Sequence, residues 1–212
     1  MPFGYIGQNQ TKQKVKNSGV LSSFDISLLE KKGQASASLE LIKEYNSTDV
    51  SSIIFDSIKE DVYDVHFMTM SNISVSTHNN QVRIRLYENG VEETAGVYQF
   101  GYQYADGGQT GNFAESATTT YTHFRANYSL TTSSNIVANS YQYFHNLGDA
   151  NKYSTQNMQV TGMSTDSSTY RTVFGGGVLP QTSKVDGIKC YVASGTFSAV
   201  TKLYGVKKLW VH

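Results

Sequence analysis

Length, composition and charge exclude several classes of protein at once. The chain has 212 residues, enough for one ordinary domain with an appended arm. Lys and Arg together number 17, and so do Asp and Glu, which argues against a nucleic-acid binder or a polybasic membrane anchor. A single cysteine, Cys190, excludes an internal disulfide framework and a cysteine-based zinc site. Ser and Thr number 45 and aromatic residues make up 12%, which is typical of a β-rich protein with an uncharged surface.

The first 20 residues differ in composition from the rest of the chain. They are polar and basic, with an apolar tip, and cannot bury a core face alone. We expect residues 1–20 to form an extended docking arm, and a disordered terminus is the alternative interpretation. The candidate docking residues are Phe3, Gly4, Tyr5, Ile6, Gly7, Lys12, Lys14 and Lys16. The chain has no apolar signal segment or membrane span, so we expect a soluble protein that matures in a reducing compartment.

Residues 21–35 carry the signals of a single short helix followed by a linker. Leu28 and Leu29 supply a small apolar face, and Lys31 and Lys32 suit the C-terminal end of a helix. Gly33 suits the position just beyond that end. We therefore predict one helix of at most about three turns.

The rest of the chain, residues 36–212, reads as a succession of short strands. In residues 81–87 apolar and polar side chains alternate, and Glu88-Asn89-Gly90 then supplies a turn. Further strands are predicted at 38–45, 52–58, 62–70, 96–104, 118–125, 140–146, 152–160, 170–174, 185–192 and 201–209. Turns are predicted at 46–49, 106–108, 148–149, 175–177 and 194–195. This pattern predicts an all-β fold, an antiparallel two-sheet sandwich resembling a jelly roll.

No catalytic or metal-binding motif stands out. The five histidines form no HxH or HExxH pair, and no GxSxG sequence is present. Cys190 alternates with apolar residues and is predicted to be a buried, inert thiol. Glu92-Glu93 follows a turn and is predicted to be a solvated pair, whereas Gly175-Gly176-Gly177 is predicted to mark a backbone bend or close packing. We therefore expect no enzymatic activity, no cofactor and no metal.

Aromatic residues give the one pattern that suggests a binding function. Tyr98, Phe100, Tyr102 and Tyr104 occupy alternate positions and so share one face of a predicted strand. One interpretation is a tyrosine-rich core whose hydroxyl groups reach the rim. The other is an exposed aromatic patch that contacts a partner subunit or a sugar.

The start and the end of the chain resemble bacteriophage proteins. The segment Phe3–Gln10 resembles the GYIGN-like opening of many tail-fibre and appendage proteins of marine bacteriophages. The stretch from Val185 through Ser194-Gly195-Thr196-Phe197 to Lys207 is similar to the C-terminal hairpin of a β-sandwich module of phage virion proteins. In that module a V-G-I strand, an SG-F turn and an LYG(I/V) strand recur.

The middle of the chain fits the same module, at residues 63–67 and 82–90. The resemblance implies a virion structural protein with a jelly-roll-like sandwich and without catalytic residues. It implies a capsid decoration, head-fibre or tail-appendage protein that is assembled in the host cytoplasm and bound to other capsid or tail subunits.

Two functions from different classes follow from these observations. The first is a structural component of a phage particle, docked through residues 1–20, for which we expect a homo-oligomer with a trimer as the leading arrangement. The second is a carbohydrate- or receptor-binding module of a virion, built on the same sandwich. Neither function involves a nucleic-acid or membrane partner, and the second adds a glycan ligand.

Overall fold

A computed structural model describes residues 39–107, 114–132, 135–163 and 169–206. The predicted docking arm at residues 1–20 and the predicted helix at residues 21–35 lie outside the described residues. Residues 40–206 belong to one compact unit. Within the described ranges, no helix has the length and apolar character needed to cross a membrane.

The described part of the chain is built from thirteen β-strands. In chain order they are β1 (Leu39–Val50), β2 (Ser52–Phe55), β3 (Val65–Val75), β4 (Val82–Glu88), β5 (Val91–Glu92), β6 (Tyr98–Asp106), β7 (Ala114–Tyr121), β8 (Phe124–Arg125), β9 (Ala138–His145), β10 (Ser154–Met163), β11 (Tyr170–Leu179), β12 (Val185–Val192) and β13 (Phe197–Val206). The all-β prediction is confirmed.

The strands form two antiparallel sheets that pack face to face. The larger sheet has the order β1-β13-β3-β9-β10-β11-β6-β7. The smaller sheet has the order β2-β12-β4-β5, and β8 also pairs with β4. Eight of these strands, β1-β13-β3-β9 and β2-β12-β4-β8, follow the two-Greek-key order of a jelly roll. Of the remaining five strands, β10, β11, β6 and β7 widen the larger sheet and β5 pairs with β4 in the smaller sheet. The sandwich prediction is confirmed.

The core lies between the sheets and follows from the alternation of side chains. In β13 every second residue is buried from Phe197 onwards, and in β4 Val82, Ile84 and Leu86 are fully buried. The inward residues of β3 include His66, Met68 and Met70, each at most 1% exposed. One continuous apolar cluster joins these strands, so the hydrophobic effect drives both sheets together.

Two predicted turns are instead parts of strands. β1 continues through residues 46–49 to Val50, with Asp49 at a φ of 51°. β11 runs through Gly175-Gly176-Gly177 and pairs there with both β10 and β6. A side chain on Gly176 would place its Cβ 2.4 Å from the carbonyl oxygen of Gln156. The glycines therefore allow close packing between neighbouring strands, one of the two roles predicted for them.

The expected C-terminal hairpin is also wrong. β12 belongs to the smaller sheet and β13 to the larger sheet, so the connection through Ser194-Gly195 crosses from one sheet to the other. Gly195 has a φ of 66°, a left-handed conformation that glycine adopts without strain. The bounds of β12 agree with the prediction, but its partners are β2 and β4.

Candidate functional site

The predicted aromatic patch on β6 faces the core. Tyr98 and Tyr102 are at most 1% exposed, and Phe100 is 7% exposed. Tyr104 is partly buried against the same core. The interpretation as an exposed patch is wrong, because this face of β6 points toward the smaller sheet. The alternative interpretation, a tyrosine-rich core, is confirmed.

The phenol groups of this buried face are held by polar partners. The Tyr102 hydroxyl donates to Gln156 Oε1 over 3.1 Å, and the Tyr98 hydroxyl accepts from the backbone N–H of Leu86 over 3.0 Å. Gln156 Nε2 donates to the backbone carbonyl of Arg125 and contacts the amide of Gln142. Burial raises the pKa of both tyrosines far above the ordinary range. Both phenols are therefore uncharged near pH 7, and their buried hydrogen bonds link β6 to neighbouring strands.

Two of the residues considered for catalysis, His66 and Cys190, are buried in the core. His66 is fully buried, and its Nε2 lies 2.7 Å from the carbonyl oxygen of Ile58. Burial raises the pKa of the Cys190 thiol to about 12, as expected of an inert buried cysteine. No group of three or more His, Cys, Asp or Glu side chains suitable for a metal ion occurs within the described ranges.

The outer face of the larger sheet carries a different set of aromatic rings. Phe67 on β3 pairs in register with Tyr143 on β9 and with Tyr204 on β13. The ring centroid of Phe67 lies 4.7 Å from that of Tyr143 and 6.0 Å from that of Tyr204. Tyr141 adjoins the group and is 42% exposed, while Tyr143 is 37% exposed. We call Phe67, Tyr141, Tyr143 and Tyr204 the aromatic platform.

A shallow trough continues the same face beyond the platform. The row that contains Tyr143 runs on through Asn157, Gly176 and Gly101 to Ala117. The small residues leave a concavity of about 680 Å³, which is also lined by Gln99, Thr119 and Val178. We call this concavity the glycine trough. Nothing lies within 4 Å of the position that a Cβ atom on Gly101 would occupy, so its floor is open.

The side chains around platform and trough are mainly uncharged. Amides of Gln99, Asn157 and Gln159 lie among the rings and glycines, and the Tyr141 hydroxyl contacts the Gln159 amide. Neighbouring strands of a sheet lie about 4.8 Å apart, and β6 is the third strand from β9. The face therefore spans roughly 14 Å from Tyr143 to Gly101. Exposed rings beside amides suit a flat, neutral, hydroxyl-rich ligand, because rings stack on apolar faces and amides bond to hydroxyl groups.

The sequence predicts which of these rings share a face of one strand, but it does not predict how the strands pair to form the aromatic platform. Alternation places Tyr141 and Tyr143 on one face of a strand, and Phe67 on one face of another. Their contact depends on the pairing of β3 with β9 and β13, which are separated along the chain by about 70 to 130 residues. Such long-range register leaves no local signal.

No protein-family model, curated protein or solved structure matches the chain.

Proposed function

We propose that this protein is a structural β-sandwich component of a bacteriophage particle that docks to neighbouring virion proteins through residues 1–20. The observation that carries the proposal is the jelly-roll order of eight strands, an architecture common among viral capsid domains. The segments that resemble the phage module fall largely on β3, β4, β12 and β13, which belong to this eight-stranded framework. That placement supports a shared fold, and the role in the particle rests on the resemblance.

The composition of the arm suggests how it docks. Phe3, Tyr5 and Ile6 supply apolar anchors, and Gly4 and Gly7 allow the backbone to approach a neighbouring sheet or groove closely. Lys12, Lys14 and Lys16 suit an acidic surface on the capsid or tail. The formal net charge of zero limits repulsion between densely packed copies, as a homo-oligomer on a particle requires.

Deleting residues 1–20 tests this role. We expect the truncated protein to keep its far-ultraviolet circular dichroism and melting temperature but to be missing from purified particles, as seen by gel analysis and electron microscopy. A matched variant carries Lys12→Gln, Lys14→Gln and Lys16→Gln, which remove the side-chain charges of the arm and keep its apolar tip. It therefore separates the contribution of the lysine charges to docking from that of the apolar residues. Full incorporation of the truncated protein into particles would show that the arm is not the anchor.

A second function, carbohydrate recognition, is favoured by the aromatic platform and the glycine trough. The exposed rings of Tyr141 and Tyr143 and the open floor at Gly101 form one continuous uncharged face. Jelly-roll sandwiches are also common among lectin domains. The proposed ligand is a neutral oligosaccharide that lies across the strands from β9 to β6.

A glycan array with three variants tests carbohydrate recognition. Tyr143→Ala removes a stacking ring, and Gly101→Val adds bulk to the trough at a position where a Cβ atom has no neighbour within 4 Å. We expect both to lose binding by tenfold or more, about 1.4 kcal/mol, whereas Ile54→Ala, which truncates a 36% exposed side chain on β2 of the smaller sheet, keeps it. An empty array, or binding that survives both changes, would refute this function.

A further inference from the structure

The smaller sheet gathers positive charge on the side of β4 that faces away from the core. Arg83 on β4 lies directly opposite Arg125 on β8, and on its other side it lies opposite Tyr191 on β12. Arg85, two residues further along β4, is opposite Lys189. Like charges placed directly opposite on neighbouring strands destabilise a sheet unless something neutralises them.

Only part of this charge is neutralised within the described residues. Glu92 accepts from Arg85 Nη1 over 2.9 Å and from Lys189 Nζ over 2.7 Å. No ion pair of Arg83 or Arg125 occurs within the ranges that the structure describes. Of these four cations, Arg85 and Lys189 share one carboxylate, and within those ranges no ion pair neutralises the opposed Arg83 and Arg125.

Buried donors without acceptors lie at the same place. The Nε atoms of Arg83 and Arg125 and the Nε2 atom of His123 are shielded from solvent and have no hydrogen-bond partner. A buried donor that lacks an acceptor destabilises the folded state, and a charged donor does so more strongly. Three such atoms around one opposed arginine pair are unusual, because buried polar groups in folded proteins nearly always have partners.

His123 adds a neutral donor to the cluster. Extending the register of β4 and β8 by one residue beyond Ile84 and Phe124 places His123 opposite Arg85. The ring is 1% exposed, and its Nδ1 lies 3.1 Å from the Thr122 hydroxyl. Burial and the charges of the three arginines lower the pKa of His123 to about 3. The ring is therefore neutral near pH 7, and when Nδ1 accepts from Thr122 the proton resides on Nε2.

Tyr191 forms an aromatic wall beside these groups. The guanidinium carbon of Arg85 lies 4.8 Å from its ring centroid, and Lys189 Nζ lies 5.5 Å from it. Stacking on a ring fixes a guanidinium in place and leaves its in-plane N–H groups free to bond. Tyr191 therefore positions Arg85 and Lys189, whereas the guanidinium carbon of Arg125 lies 5.1 Å from the ring centroid of Phe100 and 5.3 Å from that of Tyr128.

We propose that Arg83, Arg125 and His123 form a binding site for a single oxyanion, a carboxylate, sulfate or phosphate group, with Arg85 and Tyr191 as its support. Such a group supplies the missing acceptors and neutralises the opposed arginines, and guanidinium groups match its geometry. The proposal is independent of the virion role, since it depends only on contacts within the smaller sheet.

Thermal unfolding of the full chain tests the site, with phosphate, sulfate or acetate replacing chloride at constant ionic strength. At low millimolar concentration we expect one of these anions to raise the melting temperature by about 2–4 °C through binding to the native state. Arg83→Gln should abolish this rise. It should also unfold in chloride at the same or a higher temperature than the wild type, because it removes one of two opposed charges. Acetate and sulfate distinguish a planar from a tetrahedral ligand.

Lys152→Gln is the matched control, since it removes one exposed positive charge outside the cluster. The anions should raise its melting temperature as much as they raise that of the wild type. This control therefore shows how much of the rise in the wild type is a general salt effect on stability. Where Arg83→Gln fails to fold, Arg83→Lys keeps the charge but lacks Nε, and calorimetry should then show at least tenfold weaker binding. Equal anion responses in the wild type and the Arg83 variants, or none in either, would overturn the proposal.

Discussion

The two sheets enclose the same core, but their outer faces differ in chemistry. The larger sheet presents tyrosine rings, amides and glycines, with the aromatic platform and the glycine trough in one row. The smaller sheet presents arginine and lysine around a single glutamate. In a sandwich, inward residues determine packing while alternate residues are free to vary. One fold can therefore carry a neutral surface and a cationic one back to back.

The largest expected effect concerns two glycines on neighbouring strands of the larger sheet. Gly177→Ala would place a Cβ atom 2.6 Å from the carbonyl oxygen of Gln99 and 2.7 Å from the ring of Phe124. We expect it to lose about 3 kcal/mol of unfolding free energy from overpacking, measured by urea denaturation. Gly101→Ala faces open space, and we expect a change within about 0.5 kcal/mol. Equal losses would mean that the trough floor is packed rather than open.

The next prediction separates the inner from the outer face of the larger sheet. Tyr102→Phe leaves Gln156 Oε1 and the N–H of Arg125 without the phenol group that they contact. We expect a loss of about 1–3 kcal/mol, because the unpaired groups stay buried. Tyr143→Phe removes a hydroxyl from an exposed ring and should change stability by less than about 0.5 kcal/mol. Similar losses for both variants would contradict the assignment of the two faces.

A third prediction concerns the acid on the smaller sheet. Burial opposes ionisation of Glu92, but its bonds to Lys189 and Arg85 outweigh burial and lower its pKa. Glu92→Gln should therefore cost about 2 kcal/mol at neutral pH, since two half-buried cations lose their counter-charge. Glu44→Gln removes one partner of an exposed pair with Lys202 and should cost less than about 1 kcal/mol. Equal costs, measured by thermal denaturation, would mean that Glu92 is solvated, as the sequence predicts.

The smallest expected effect is a pH dependence at Glu88 on the smaller sheet. Burial, together with the charge of Glu93 and a hydrogen bond to it, raises the pKa of Glu88 from 4.5 to about 7. The native state then binds the proton more tightly than the unfolded chain, so stability falls as pH rises from about 4.5 to 7. Glu88→Gln cannot titrate. We expect the wild type to lose melting temperature relative to this variant over that interval, whereas parallel pH curves would contradict the raised pKa.

Local alternation determined how much of the fold could be predicted. Residues 188–192 and 82–86 alternate cleanly, and they lie in β12 and β4. The prediction is wrong at β1 and β11, where turn-forming residues lie within the strands rather than at their ends. Asp49 adopts a left-handed conformation within the strand, and the glycines of β11 relieve crowding between three strands. The conformational propensity of a residue indicates which backbone conformations it tolerates. The strands that pair with that residue determine which of these conformations it adopts.

The candidate sites were less accessible to prediction than the fold. Alternation places Tyr98, Phe100 and Tyr102 on one face of a strand. It does not indicate whether that face points toward the core or toward solvent. Glu92 was predicted to be solvated because its cationic partners lie on other segments, at Arg85 and Lys189. Both the platform and the oxyanion site arise from register between strands that are distant in sequence.

The pairing of the first and last described strands has a mechanical consequence. Asp49 near the end of β1 bonds to Ser198 near the start of β13, and Glu44 contacts Lys202. The two strands are thus antiparallel neighbours, and Leu39 and Val206 lie at the same end of them. A force that pulls these two residues apart would open the hydrogen bonds between β1 and β13 one pair at a time, like a zipper, rather than shear them together. When only one terminus of the domain is attached, no force acts between β1 and β13. Attachment through a single arm would therefore avoid the pulling direction that separates these two strands one hydrogen bond at a time.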